Sequence, residues 1–175
     1  MGVRKAVQAD LYHINSSVLE IKGEMLKLNI QQWPLDQDYP SVDMIRADLE
    51  RGDYYVLEIE GQYAGSVVLN TTTTPPYEKI HWQSEEFLAV HRLVSLPAFR
   101  VHKPGLLLMQ FAEQLAVERG LNSIRLDTYS NNARANAFYR KLGYEFRGEI
   151  NLPWMPEVYN CYEKSLDPTD GKGKK

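Results

Sequence analysis

Residues 127–144 read Asp-Thr-Tyr-Ser-Asn-Asn-Ala-Arg-Ala-Asn-Ala-Phe-Tyr-Arg-Lys-Leu-Gly-Tyr, and this stretch decides the fold. Residues 123–128, which lead into it, alternate apolar and polar side chains as a strand does. Asn132 is a preferred residue type at a helix N-cap, and Gly143 is typical of the position after a helix. The stretch therefore predicts a strand over 123–128, a turn, and a helix from Asn132 to about Leu142.

A second strand–turn–helix segment precedes it by about 25 residues, and its core, 93–106, reads Leu-Val-Ser-Leu-Pro-Ala-Phe-Arg-Val-His-Lys-Pro-Gly-Leu. We predict a strand over 86–95 that Pro97 stops, and a helix over 105–119. The first amides of a helix have no internal partner and carry partial positive charge, so such a terminus binds phosphate. Further hydrogen-bond donors are supplied by three side chains of the turn, Arg100, His102 and Lys103. The segment predicts a pyrophosphate site, although a glycine in such a turn is also common as simple punctuation.

The remaining elements follow from periodicity, caps and turn residues. They are a strand at 3–7, a helix capped by Asp10 whose apolar stripe ends at Leu28, a helix over 41–52, a hairpin of 54–59 and 62–69 with a Glu60-Gly61 turn, a long loop over 70–84, and strands at 144–150 and 157–165. This order predicts an α/β (α+β) fold, a mainly antiparallel mixed sheet of six to seven strands with about four helices on both faces. We expect one domain over 1–166 and a disordered tail over 167–175.

Composition narrows the possible partners of the chain. The 175 residues carry a formal net charge of −3 and a pI of about 5.8, which disfavours nucleic acid as a partner. The single cysteine, Cys161, predicts neither an internal disulfide nor a metal cluster. An apolar run of about 18 residues, as a membrane span needs, does not occur in the sequence. We expect a cytoplasmic protein with no membrane partner.

The first stretch resembles a signature of the GCN5-related N-acetyltransferase (GNAT) superfamily, Asn-x-x-Ala-x-x-apolar-Tyr followed by Lys-Leu-Gly-aromatic. The matching positions are Asn132, Ala135, Phe138, Tyr139, Lys141, Leu142, Gly143 and Tyr144. The upstream segment resembles the cofactor loop of the same superfamily, Pro-x-x-Arg/Gln-x-x-Gly-x-Gly/Ala. Pro97, Arg100 and Gly105 match, whereas Lys103 replaces the middle glycine. That lysine either binds phosphate through its ammonium group or disturbs the tight turn.

The resemblance covers roughly residues 3–166 and implies the acyl-CoA N-acyltransferase fold with acetyl-CoA as co-substrate and no metal. It implies transfer of an acetyl group to a primary amine of a small molecule or peptide by direct attack. Pantetheine would bond to the backbone of Leu93, Val94 and Ser95, and Asn132 would reach the same arm. The pyrophosphate would lie in the turn formed by Arg100, Val101, His102, Lys103, Pro104, Gly105 and Leu106.

Direct transfer needs an acid for the departing thiolate and a base for the attacking ammonium. Tyr139 is the candidate acid. It also fits the core stripe of Ala135, Phe138 and Leu142, and the two roles are compatible, because an aromatic ring can pack while its hydroxyl points into a cleft. For the base we consider His91, which has the appropriate unperturbed pKa, and Asp127, at a position where some superfamily members carry a catalytic carboxylate. His91 is alternatively a packing or substrate-contact residue, and Asp127 a cap of the following turn. The weaker options for the base are Glu85, Glu86 and a chain of waters.

Trp33 and Tyr39 lie in the loop after the first helix, where the superfamily usually builds its acceptor wall. An aromatic wall suits an aliphatic or cationic amine, although simple anchoring of the loop explains both residues equally well. The strand at 157–165, taken as an edge strand, predicts a possible homodimer. A second function also stays open, a coenzyme A-binding sensor or interaction module without catalysis.

Overall fold

The computed structural model describes residues 1–153, 155 and 157–166, so the predicted tail at 167–175 lies outside the described residues. Within the described chain, the strands are β1 (Gly2–Lys5), β2 (Tyr54–Ile59), β3 (Gln62–Asn70), β4 (Phe87–Ser95), β5 (Ser123–Tyr129), β6 (Glu145–Asn151) and β7 (Val158–Ser165). The helices are α1 (Leu11–Lys27), α2 (Val42–Arg51), α3 (Pro104–Glu118) and α4 (Ala133–Lys141). The predicted mixed sheet and its four main helices are therefore confirmed.

The described chain forms two compact units. The first contains Met1–Leu69 and His91–Phe111, and the second contains the other described residues. Strand β4 and helix α3 are each divided between the two units. The single domain expected over 1–166 stays a prediction.

In the first unit, β1 pairs antiparallel with β2, and β2 pairs antiparallel with β3. The hairpin turn is the predicted one, since Glu60 and Gly61 have φ angles of 53° and 75°, as a type I′ turn requires. Helices α1 and α2 bury Ile14 and Ile45 completely, in a core that also contains residues of β2 and β3. Leu28 was expected in the buried stripe of α1, but it follows the end of the helix and is exposed.

Gly65 of β3 allows a close backbone approach within this unit. A Cβ atom on Gly65 would lie 2.5 Å from the carbonyl oxygen of Val94 and 3.2 Å from a methyl carbon of Leu108. Nearby, the amide of Leu96 donates to the carbonyl oxygen of Ala64 over 3.0 Å. The position therefore requires glycine for the packing of the strand against its neighbour.

In the second unit, the first half of β4 pairs parallel with β5, from Phe87 opposite Ser123 to Val90 opposite Leu126. Strand β7 pairs antiparallel with β5 on one side and with β6 on the other. The prediction that β7 is an edge strand is wrong, because both of its sides are already paired. A dimer formed through that strand is therefore not supported.

The segment 70–84 was predicted to be a loop throughout, but it contains a short 3₁₀-helix, Pro75–Lys79. Pro75 and Pro76 begin it, and proline suits the first turn of a helix because it has no amide hydrogen to satisfy. The loop is fixed to the sheet by buried Glu163 of β7, whose carboxylate accepts the amide of Gln83 over 2.7 Å. This segment is therefore part of the folded unit.

A buried asparagine, Asn136 of α4, joins that helix to two strands. Its side-chain nitrogen donates to the carbonyl oxygens of Tyr129 and Asn132, at 3.0 and 2.8 Å. Its side-chain oxygen accepts from Asn160 and from the hydroxyl of Tyr162, at 2.8 and 2.7 Å. Because these bonds reach β5, β7 and the start of α4 itself, they fix the position and the rotation of the helix.

We predict that Gly65→Ala lowers the free energy of unfolding by about 1–3 kcal/mol, because the added methyl group overlaps backbone that cannot move alone. Urea denaturation measures the change. Gly23→Ala in α1 is the matched control, since nothing lies within 4 Å of its Cβ position and helix propensity gives about 0.5–1 kcal/mol of stabilisation. Equal stability of the Gly65→Ala variant and the wild type would contradict the close approach.

Candidate active site

The predicted phosphate turn follows β4 in the first unit. A 3₁₀-helix spans Pro97–His102, and α3 begins at Pro104. Between them, Lys103 has φ and ψ angles of 54°, in the left-handed region. Its amide donates to the carbonyl oxygen of Arg100 over 3.1 Å, and its own carbonyl accepts the amides of Leu106 and Leu107. The lysine, which stands where the family pattern has glycine, thus adopts a left-handed conformation that glycine favours, and backbone hydrogen bonds close the turn.

The side chains of this turn suit an anion. Arg100, His102 and Lys103 are all exposed, whereas Pro104 is buried. Proline contributes no amide hydrogen, and the Leu106 amide already donates to the Lys103 carbonyl, so the amide of Gly105 is the first that α3 can offer to an anion. Three cationic or titratable side chains surround a helix N-terminus, which is a favourable arrangement for phosphate oxygens.

Strand β4 changes direction just before the predicted pantetheine-binding residues. Arg92 has a φ of 47°, which a non-glycine residue rarely adopts within a strand. Beyond it, Leu93 and Ser95 are partly exposed, while Val94 is buried. The pairing of β4 with β5 ends at Val90, so the backbone of this segment is not bonded to β5.

In the second unit, Asn132 caps α4 as predicted, and its side-chain oxygen accepts the amide of Ala135 over 3.0 Å. Tyr139 lies further along this helix and is buried among aromatic rings. The ring centroids of Phe138, Tyr144 and Tyr162 lie 5.3, 6.0 and 6.2 Å from that of Tyr139. Burial, and then the charge of Asp127, raise the pKa of its hydroxyl, so the tyrosine keeps its proton at neutral pH.

Asp127 lies within β5 opposite Cys161, two residues before the end of the strand. Its Oδ1 atom accepts the hydroxyl of Tyr77 over 2.5 Å. Burial raises the pKa of the Asp127 carboxyl, and the Tyr77 hydrogen bond opposes that rise. The turn that follows is closed by backbone, since the amide of Asn132 donates to the carbonyl of Tyr129 over 3.0 Å.

Tyr77 belongs to the site, and sequence reasoning missed it. The residue is buried at 2% exposure and lies in the 3₁₀-helix of the long loop. Trp82 fixes it in two ways, by a tilted ring contact at 5.2 Å between centroids and by donating its indole N–H to the Tyr77 carbonyl over 2.9 Å. Two large aromatic residues after a proline pair, in an otherwise polar loop, were the available signal.

The other candidates for the base have different surroundings. His91 is partly exposed in β4 and makes contacts of its own. Glu86 accepts the side-chain amide of Asn122 over 2.6 Å, and its carbonyl accepts the backbone amide of the same residue. Glu86 therefore has a structural role at the start of β4, and Glu85 is exposed.

The two aromatic residues predicted for the acceptor wall differ in burial. Trp33 is only 6% exposed and packs in the core of the first unit with Ile14 and Val18, which favours its interpretation as a loop anchor. Tyr39 is partly buried against the same core, and its hydroxyl interacts with the guanidinium of Arg92. The role of either residue in acceptor binding stays a prediction.

The first unit therefore contains the predicted cofactor segment, 93–106, and Tyr39, while the second contains Asp127, Asn132 and Tyr139. In the part of the chain that is described, no group of three or more His, Cys, Asp or Glu side chains is arranged to hold a metal ion. A helix long and apolar enough to span a membrane is likewise absent from the described residues.

A sheet of this kind, with a cationic turn after β4 and an asparagine-capped helix that bears a buried tyrosine, defines the acyl-CoA N-acyltransferase class. The model of the acetyltransferase (GNAT) family matches residues 22–144. Because this is more than half of the sequence, the chain belongs to the acetyltransferase (GNAT) family. The resemblance found in the two motifs is thereby confirmed.

Among similar proteins, the uncharacterized N-acetyltransferase YesJ of Bacillus subtilis (strain 168) is 28% identical over 125 residues, which are 70% of this chain and 66% of that relative. A solved GNAT-family acetyltransferase from Streptococcus agalactiae 2603 has a TM-score of 0.82 at 23% identity, over 94% of both chains. Another from Listeria monocytogenes 4b F2365 has a TM-score of 0.73 at 24% identity, also over 94% of both chains. The fold is shared with both solved structures. The family match supports the predicted enzyme class, an N-acetyltransferase.

We predict that Lys103→Gly raises the free energy of unfolding by roughly 0.5–1 kcal/mol. Glycine avoids the steric strain that a Cβ atom causes in the left-handed conformation. Part of this gain is lost, because glycine gives the unfolded chain more conformational entropy. Urea denaturation measures this change. Lys103→Gln is the control, since it removes the charge and keeps the Cβ atom. A destabilised Lys103→Gly variant would show that the lysine side chain itself stabilises the turn.

Proposed function

We propose that this protein is an acetyl-CoA-dependent N-acetyltransferase that transfers the acetyl group to a primary amine of a small molecule or peptide by direct attack. The proposal depends mainly on helix α4, in which the Asn132 cap and the buried, protonated Tyr139 occur together in a chain of this family. When bound, acetyl-CoA supplies the activated acetyl group as a thioester. The residues of the chain supply binding, orientation and proton transfer.

The turn over Arg100–Leu106 would bind the pyrophosphate. Its support is the exposed cationic side chains and the intact left-handed turn at Lys103, which together make a helix N-terminus accessible to an anion. The backbone of Leu93, Val94 and Ser95 would pair with the pantetheine arm in the manner of an added strand. A main-chain amide near Val94 would stabilise the oxyanion.

Tyr139 would act as the general acid. In the reaction, the amine nitrogen forms a bond to the thioester carbonyl carbon, the carbon–sulfur bond breaks, and the sulfur takes up a proton. An acid must keep its proton until that step, and the raised pKa of the Tyr139 hydroxyl ensures that it does so at neutral pH. Packing of the ring among three aromatic neighbours leaves the hydroxyl little rotational freedom.

Asp127 would act as the general base that takes the proton of the ammonium. The geometry supports this choice over a capping role, because the carboxylate is held by Tyr77 and the turn is closed by backbone. A carboxyl whose pKa is raised by burial is a stronger base than an exposed one. His91 stays the second candidate, and Tyr39 the candidate contact for the acceptor amine.

We expect Tyr139→Phe to bind acetyl-CoA with nearly unchanged affinity and to lower kcat by about 10²-fold, in keeping with the loss of a general acid. Calorimetry measures the affinity, and a thiol-release assay against a panel of primary amines measures turnover. Wild-type protein that binds acetyl-CoA and acetylates no amine would instead be a sensor. Unchanged turnover in the variant would show that another group protonates the thiolate.

We expect Tyr77→Phe to move the acidic limb of the kcat/KM profile to higher pH. The Tyr77 hydroxyl stabilises the ionised carboxylate, so its removal raises the pKa of Asp127 further and the active, ionised form is lost at a higher pH. The affinity for acetyl-CoA serves as the control and stays unchanged. A profile that does not move in Tyr77→Phe but loses this limb in His91→Gln would assign the base to His91.

A further inference from the structure

The conformation of Arg92 needs an explanation, because nothing about an arginine favours a φ of 47° within a strand. A left-handed residue with a Cβ atom persists only where its surroundings compensate for the strain. Arg92 directly precedes Leu93, the first residue proposed to pair with the pantetheine arm. The contacts that compensate for this strain therefore affect the shape of the proposed cofactor site.

An ion pair provides that compensation. The guanidinium of Arg92 donates to Oδ2 of Asp48 in α2, and the two side chains are only 11% and 3% exposed. The other oxygen of the same carboxylate, Oδ1, accepts from Arg51, so two guanidinium groups hold one buried carboxylate. If this buried carboxylate lost either guanidinium group, its negative charge would be poorly compensated. The two ion pairs therefore strongly favour one geometry.

Asp48 is in turn fixed by the backbone at the end of α2. Its carbonyl accepts the amide of Asp53 over 3.0 Å, and the carbonyl of Asp53 accepts the amide of Leu69 in β3 over 2.9 Å. Gly52 closes the helix in the left-handed conformation. The carboxylate is thus attached to a rigid junction of α2 with the sheet, against which the side chain of Arg92 is held.

We propose that Asp48 is a positioning residue for acetyl-CoA binding, which acts through Arg92 to hold the kink that presents the backbone of Leu93–Ser95. This inference rests on the proposed function, since it assigns a purpose to a segment proposed to bind the cofactor. Asp48 itself is buried at 2% exposure, so its proposed effect on the cofactor is indirect. That effect is on the direction of the strand that is proposed to bind the cofactor.

The test measures the Kd for acetyl-CoA by calorimetry, with thermal melting to report the folded fraction. Asp48→Asn is expected to weaken binding at least 10-fold in folded protein. Arg92→Gly in the same background is expected to restore the Kd to within about 3-fold of the wild type, because glycine adopts a positive φ without an ion pair to hold it. Asp43→Asn is the matched control, since Asp43 pairs with Arg46 on the exposed side of the same helix, and its Kd is expected to be unchanged.

If Asp48→Asn does not fold, two variants of Arg92 decide the matter, since Asp48 then keeps its pair with Arg51. Arg92→Ala is expected to lose affinity at least 10-fold, because it keeps the strain of a Cβ atom without the ion pair, and Arg92→Gly is expected to keep it. Equal Kd values for these two variants, or wild-type affinity in folded Asp48→Asn, would overturn the proposal. Failure of the wild type to bind acetyl-CoA would instead overturn the proposed function.

Discussion

The buried side-chain amide of Asn136 is the interaction on which the second unit depends. It is bonded through both of its polar atoms, to backbone carbonyls at the end of β5 and the start of α4 and to two side chains of β7. A buried amide with this many partners is costly to displace. Each lost hydrogen bond leaves a buried polar atom that has neither a protein partner nor water to bond. The cap at Asn132 lies about one turn before Asn136, and Tyr139 lies about one turn after it. The hydrogen bonds of Asn136 therefore fix the position of both residues.

Two of the left-handed residues of the first unit that are not glycine, Lys103 and Arg92, are stabilised differently. Lys103 is exposed, and its conformation is set by backbone bonds on either side of the turn, so its side chain is available for an anion. The side chain of Arg92 is only 11% exposed, and it forms the ion pair with Asp48 and a contact with the Tyr39 hydroxyl. Strained residues of this kind concentrate at functional sites. Lys103 lies within the predicted cofactor segment, 93–106, and Arg92 directly precedes that segment.

Local sequence signals predicted the helices and strands well, because caps, turn residues and apolar periodicity are decided within a few residues. The Asn132 cap and the Glu60-Gly61 turn are such cases. Features set by distant contacts were not predictable in the same way. The place of β7 between two strands, the Tyr77–Asp127 bond across 50 positions and the Arg92–Asp48 pair across 44 all require the folded chain. Leu28 was misplaced because the apolar period continues beyond the residue at which α1 ends.

The surroundings of Asp127 and Tyr139 suit the roles of base and acid that we propose for them. Burial raises the pKa of both groups, which suits the tyrosine, since it must stay protonated, but would leave an isolated aspartic acid too readily protonated. The Tyr77 hydroxyl acts on the carboxylate alone and moves its pKa back down. Cys161, opposite Asp127, adds no charge, because burial raises the pKa of its thiol and keeps it protonated. The hydrogen bond from the 3₁₀-helix of the long loop therefore favours an ionised carboxylate together with a protonated tyrosine, the two protonation states that the proposed direct transfer needs.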